Sequence, residues 1–82
     1  MNDDQILREM NVVFCDVLDT PELVLGLTTT AKDVEEWDSL SHVQLVAAIE
    51  TRFKIRFTSA EIQGFKNVGD MAAAIARKLR AG

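Results

Sequence analysis

Three stretches of this chain place apolar residues at helical spacing, and no two stretches alternate in a way that would pair them as strands. That pattern confines the fold to an all-α bundle of three main helices and one short one. The first stretch is predicted over residues 3–17. Ile6, Met10, Val13, Phe14 and Val17 recur every three or four positions and form one stripe. Asn2 precedes them as a helix cap, with Gln5 three residues on to complete a capping box. Asp3 and Asp4 fall in the first turn, where the helix dipole favours negative charge. Leu18 and the sequence Asp19-Thr20-Pro21 end the helix.

The second helix is predicted from Ser39 to Phe53, with Asp38 as its cap. At about 100° per residue it carries two apolar stripes. Leu45, Val46, Ile49 and Phe53 share one face and belong to the core. Leu40, Val43 and Ala47 lie nearly opposite, among Gln44 and Thr51, and form either a contact surface or the second side of a small helical protein. Lys54 to Phe57 alternates, but it has no partner strand and reads as a connection. Thr58 with Glu61 opens a short helix that ends at Gly64. Asn67 with Asp70 caps a last helix over residues 68–79, whose stripe is Val68, Met71, Ala72, Ile75 and Leu79. Arg77, Lys78 and Arg80 gather at its C-terminus, as the dipole favours.

Between the first two helices lies a long irregular connection, residues 19–38. Leu23, Val24, Leu25 and Leu27 are its candidates for pinning to the core. The threonines at 28 to 30 and the run from Lys32 to Glu36 are candidates for a short helical turn. An ordered loop of this length in a small domain commonly carries function.

Composition removes several classes of function. At 82 residues the chain is expected to form a single domain over 1–82, with one modest core and little left for a substrate cavity. Hydrophobic residues make up 48% and the net charge is −4, a balance at odds with disorder. The single cysteine, Cys15, forms no internal disulfide and supplies no cysteine-rich zinc site. With no secretory signal in view, it points to a reducing, cytoplasmic compartment. No apolar run reaches the roughly 18 residues of a membrane span, and a pI near 4.8 argues against nucleic acid as a partner.

Charge is unevenly placed. Residues 1–50 hold 11 acids and two bases, a balance of −9; residues 51–82 hold two acids and seven bases, +5; together they give −4. The run from Asp33 to Asp38 holds four acids and no base. It is either a solvated face or a steering surface for a basic partner.

Ser39 is the residue most suited to chemistry. At the first position of a helix its hydroxyl projects outward, and the helix N-terminus favours a phosphate esterified there. A serine beside an aspartate cap is also an ordinary way to begin a helix. What distinguishes this one is its setting. The run Trp37-Asp38-Ser39-Leu40, continuing as SLSHVQLVAAIETRF, resembles the phosphopantetheine-attachment segment of acyl carrier and peptidyl carrier proteins. The later segment FTSAEIQGFKNVGDMAAAI is similar to the second half of the same family, and the order of helices and loop agrees across the chain.

The resemblance implies a carrier without catalytic activity of its own. A phosphopantetheinyl transferase, using Mg²⁺ at its own site, moves 4′-phosphopantetheine from coenzyme A onto Ser39. Asp38 belongs to the motif the transferase recognises, with Leu40 beside it. The thiol of the arm holds an acyl or aminoacyl group as a thioester. A loading ligase and a downstream transferase or synthase are the other implied partners. Leu40, Val43 and Ala47 become partner contacts, and Trp37 either meets the arm or a partner or, as the preferred reading, braces the loop. A monomer is the state that suits a carrier exchanging many partners.

The chain departs from the fatty-acid carriers of that family at Ser41, Gln44 and Thr51, which stand where the pattern is acidic. Between Ser39 and Phe53 only Glu50 and Arg52 are charged. A neutral attachment helix points to a specialised standalone carrier, recognised by shape and apolar contact more than by charge. His42 lies one turn after Ser39, but a Ser–His nucleophile also needs an orienting group and an oxyanion site, and its helical angle makes it a partly buried packing residue. Cys15 lies opposite its helix's stripe and reads as an incidental thiol. Two further functions stay open at this point: a carrier-fold interaction module that is never modified, and a small hydrolase built on Ser39 and His42.

Overall fold

The computed structural model describes residues 2–81. Four helices follow in order: α1 (Asp3–Val17), α2 (Ser39–Phe53), α3 (Ser59–Gly64) and α4 (Val68–Ala81). No strand occurs among the described residues, and Lys54 to Phe57 is a connection. Each predicted helix is present, and α4 runs two residues past its expected end.

Capping explains the boundaries. Asn2 Oδ1 accepts from the Gln5 N–H at 2.8 Å, and the Gln5 side chain accepts from the Asn2 N–H at 2.9 Å. Thr58 and Glu61 form the same reciprocal pair. At the far end of α2, Lys54 turns into the left-handed region at φ 58°, and the Ile55 N–H returns to the Glu50 carbonyl at 3.0 Å. Asp19 makes a similar left-handed turn after α1.

α1 packs against α2 and α4. Ile6, Met10 and Phe14 meet Leu45 and Ile49 of α2 and Val68, Met71 and Ile75 of α4 in the fully buried centre. The α4 stripe is turned slightly from the expected one. Ala74 is buried, while Ala72 and Leu79 are only partly covered. Val17 is likewise partly covered, and Leu18, just past the helix, is buried in its place.

The long loop departs most from expectation. Leu25 is buried and Leu23 partly so, but Val24 is 83% and Leu27 51% exposed. Extended chain sends successive side chains to opposite sides, so Val24 points outward between Leu23 and Leu25, while Leu27 falls in the turn that follows. Val34 and Trp37 supply the burial instead. The expected helical turn over 28–36 is absent. Hydrogen-bonded turns take its place: Asp33 N–H to the Thr30 carbonyl at 3.0 Å, overlapped by Val34 N–H to the Ala31 carbonyl at 3.4 Å, and Trp37 N–H to the Val34 carbonyl at 3.0 Å.

The loop is fastened by polar contacts at both sides. Asn11 of α1 behaves like a strand partner: its Nδ2 donates to the Leu23 carbonyl at 3.0 Å, and its Oδ1 accepts from the Leu25 N–H at 2.6 Å. At the other side the first amides of α4 are capped by loop carbonyls, Val68 N–H to Thr29 at 2.8 Å and Gly69 N–H to Leu27 at 2.7 Å. A Cβ at position 69 would stand 2.8 Å from the Leu27 oxygen, so only glycine permits this approach.

Candidate functional site

The loop delivers Trp37 and Asp38 to the start of α2, where the sequence-predicted residues meet. Asp38 Oδ1 accepts from the Ser41 N–H at 2.9 Å, and the Asp38 N–H donates to Ser41 Oγ at 2.8 Å. The Ser41 hydroxyl also reaches the Glu36 carbonyl at 2.9 Å. The Asp38 carboxyl is held below its ordinary range, first by the backbone N–H of Ser41 and further by the Ser41 side chain and the Leu40 amide, against a smaller opposing cost of desolvation. Asp38 is therefore anionic near neutral pH, at the entrance to the helix.

This geometry separates the two serines of the motif. Ser41 is buried and committed to the capping box; Ser39 is exposed at the first helical position. Sequence reasoning missed the commitment of Ser41, although a serine three residues after an aspartate cap is a short-armed version of the box.

Beside Ser39 runs a shallow groove between the start of α2 and α3. Trp37, Asp38 and His42 line it together with Ile62, Phe65 and Lys66. Trp37 is 5% exposed and packs edge-on against Phe14 of α1, ring centroids 5.1 Å apart. Its bulk braces the loop and leaves little of it for a partner to touch. His42 is partly buried, as its helical angle indicated. Its Nδ1 accepts from the Trp37 indole N–H at 3.1 Å, and its Nε2 lies 3.2 Å from the Ile62 carbonyl.

The remaining predicted residues form the outward face of α2. Leu40 is 72% and Val43 63% exposed, and Ala47 is exposed beside them. The two charges of this helix are both engaged within the chain. Arg52 pairs with Glu9 of α1 at 2.6 Å, and Glu50 accepts from the Phe57 N–H at 2.8 Å.

A family model described as the phosphopantetheine attachment site matches residues 10–75. The chain belongs to this family. It is 32% identical over 82 residues to an acyl carrier protein of Thermosynechococcus vestitus, a match covering 99% of this chain and 100% of that one. It is also similar to the solution structure of the holo acyl carrier protein from Geobacter metallireducens. There the TM-score is 0.86 at 40% identity, over 92% of this chain and 86% of the other. The chain is thus a non-catalytic carrier of the acyl carrier protein kind, with 4′-phosphopantetheine as its prosthetic group. The site fits that group: an exposed serine hydroxyl opens onto a groove with apolar walls from Ile62 and Phe65 and one cation, Lys66. No helix among the described residues is long and apolar enough to cross a membrane.

Proposed function

We propose that residues 1–82 form a single carrier domain in which Ser39 holds the phosphopantetheine arm and Asp38 marks the site for the transferase. The observation that carries this reading is the opposite fate of the two serines, since only Ser39 presents a hydroxyl to an incoming enzyme. When bound, the arm supplies a terminal thiol that carries the cargo as a thioester. The chain's own residues do the rest. Asp38 fixes the helix start and so the place of Ser39 in its first turn, and the groove toward Ile62 and Phe65 offers apolar cover beside it. Tethering confines the cargo within reach of each partner and raises its effective concentration there.

Leu40, Val43 and Ala47 are the surface that partners meet. With Glu50 and Arg52 both engaged inside the molecule, this face offers apolar area without free charge. That arrangement suits a specialised acyl or aminoacyl carrier in the cytoplasm, acting as a monomer between a loading ligase and a downstream transferase or synthase.

The deciding experiment is intact mass after incubation with coenzyme A, Mg²⁺ and a broad-specificity phosphopantetheinyl transferase. One phosphopantetheine adduct on the wild type and none on Ser39→Ala is the expected result. No adduct on a folded wild-type chain with two unrelated transferases overturns the attachment reading and leaves an unmodified interaction module.

A further inference from the structure

His42 makes two hydrogen bonds in opposite directions, and their partners dictate its chemistry. The indole N–H of Trp37 can only donate, so Nδ1 must be the unprotonated nitrogen. The Ile62 carbonyl can only accept, so Nε2 must carry the proton. Both contacts are met only by the neutral Nε2–H tautomer. The imidazole also lies nearly parallel to the indole, with an interplanar angle of 18° and centroids 6.0 Å apart. Trp37 in turn rests on Phe14 in the core.

The second partner of His42 is a weakly held element. α3 has six residues, none of them buried. On its outer side it is tied to α4 by Glu61 and Lys78 at 2.9 Å. On its groove side it is tied to α2 by His42.

We propose that His42 is a positioning residue. Held as its Nε2–H tautomer between Trp37 and the Ile62 carbonyl, it sets the spacing of loop and α3 and so the width of the groove that begins at Ser39. The importance of that width to the arm rests on the attachment reading above; the clasp itself does not.

Three variants of the full, unmodified chain separate the two bonds. His42→Asn keeps an acceptor near the place of Nδ1 but is too short to reach α3. His42→Gln places its amide near Nε2 and gives up the Trp37 bond. His42→Phe fills the space with neither. The first measurement is on the wild type: ¹⁵N chemical shifts of the labelled imidazole, which distinguish the two tautomers. The second is hydrogen exchange at the Trp37 indole N–H and at the α3 amides, with those of Ile49 and Met71 as a core reference. The expected result is the Nε2–H tautomer in the wild type. His42→Asn should speed α3 exchange by about three- to tenfold while sparing the indole, and His42→Gln should do the reverse. The Nδ1–H tautomer, or α3 exchange unchanged in a folded His42→Asn, overturns the proposal. The tautomer is read without any substitution, so the test stands even where a variant fails to fold. Failure of Ser39 to accept the arm is read separately by mass and leaves the clasp intact.

Discussion

Ser39 and Ser41 stand two residues apart on one helix and serve opposite ends: Ser41 is turned inward onto Asp38 and Glu36, while Ser39 faces solvent. Replacing each by alanine should therefore give crossed outcomes. Ser39→Ala should match the wild type in urea denaturation and take up no phosphopantetheine. Ser41→Ala should lose about 1–2 kcal/mol of stability, through its lost cap and the stranded Glu36 carbonyl, and still be modified. Uptake by Ser39→Ala, read as intact mass, would falsify the assignment.

The two stripes of α2 predict a second contrast. Val43 is 63% exposed and Ile49 fully buried. Val43→Asp should change stability by less than about 0.5 kcal/mol while impairing transfer of cargo by partner enzymes. Ile49→Asp should cost more than about 4 kcal/mol, by burying an unpaired charge, and abolish the helical circular dichroism. Unfolding by Val43→Asp would mean that the faces are wrongly assigned.

Two glycines should respond to alanine with opposite signs. At Gly69 the added methyl meets the Leu27 carbonyl at 2.8 Å, backbone that cannot step aside cheaply, and a loss of about 1–3 kcal/mol is expected. At Gly64, the last residue of α3, nothing lies within 4 Å, and a gain of roughly 0.5–1 kcal/mol is expected from the stiffer unfolded chain. Thermal melts of both variants, run side by side, check the pair.

Acid should weaken the chain through two carboxylates. Asp38 and Glu61 both titrate below their ordinary values of 3.8 and 4.5 in the folded state. For Glu61 the leading cause is the Thr58 backbone N–H, followed by Lys78. A depressed folded pKa contributes stability that is present above the unfolded value and lost as pH falls through the folded one. Stability should therefore decline from about pH 4.5 downward, with no contribution from this pair to any change between pH 6 and 8. Glu61→Gln should flatten part of that decline in urea midpoints measured across the acid range; an unaltered slope would show that Glu61 plays no part in it.

The helices were readable because burial repeats along them: Ile6, Met10 and Phe14 announce one face of α1, and Asn2 with Gln5 announces where it starts. The second stripe of α2, and with it the exposed Leu40, Val43 and Ala47, followed from angle alone. The loop resisted for a physical reason. What holds it are single contacts to backbone atoms, Asn11 to Leu23 and Leu25, and Thr29 and Leu27 to the amides of α4. Such contacts have no period, and hydropathy wrongly recruits Val24 and Leu27. The same holds at the site. His42 was placed correctly as half-buried, but its bonds to Trp37 and Ile62 join three separate segments and leave no mark in any one of them.

The seam between the loop and α4 has a consequence for how the chain is made. Ser39 leaves the ribosome well before Val68 and Gly69, whose amides hold the Thr29 and Leu27 carbonyls. Until those amides arrive, the loop that presents the serine lacks one of its two anchors. Modification should accordingly wait for α4, with chains cut short before Val68 poor substrates for the transferase and chains that include α4 good ones. The docking of α4 would then serve as the signal that the carrier is ready for use.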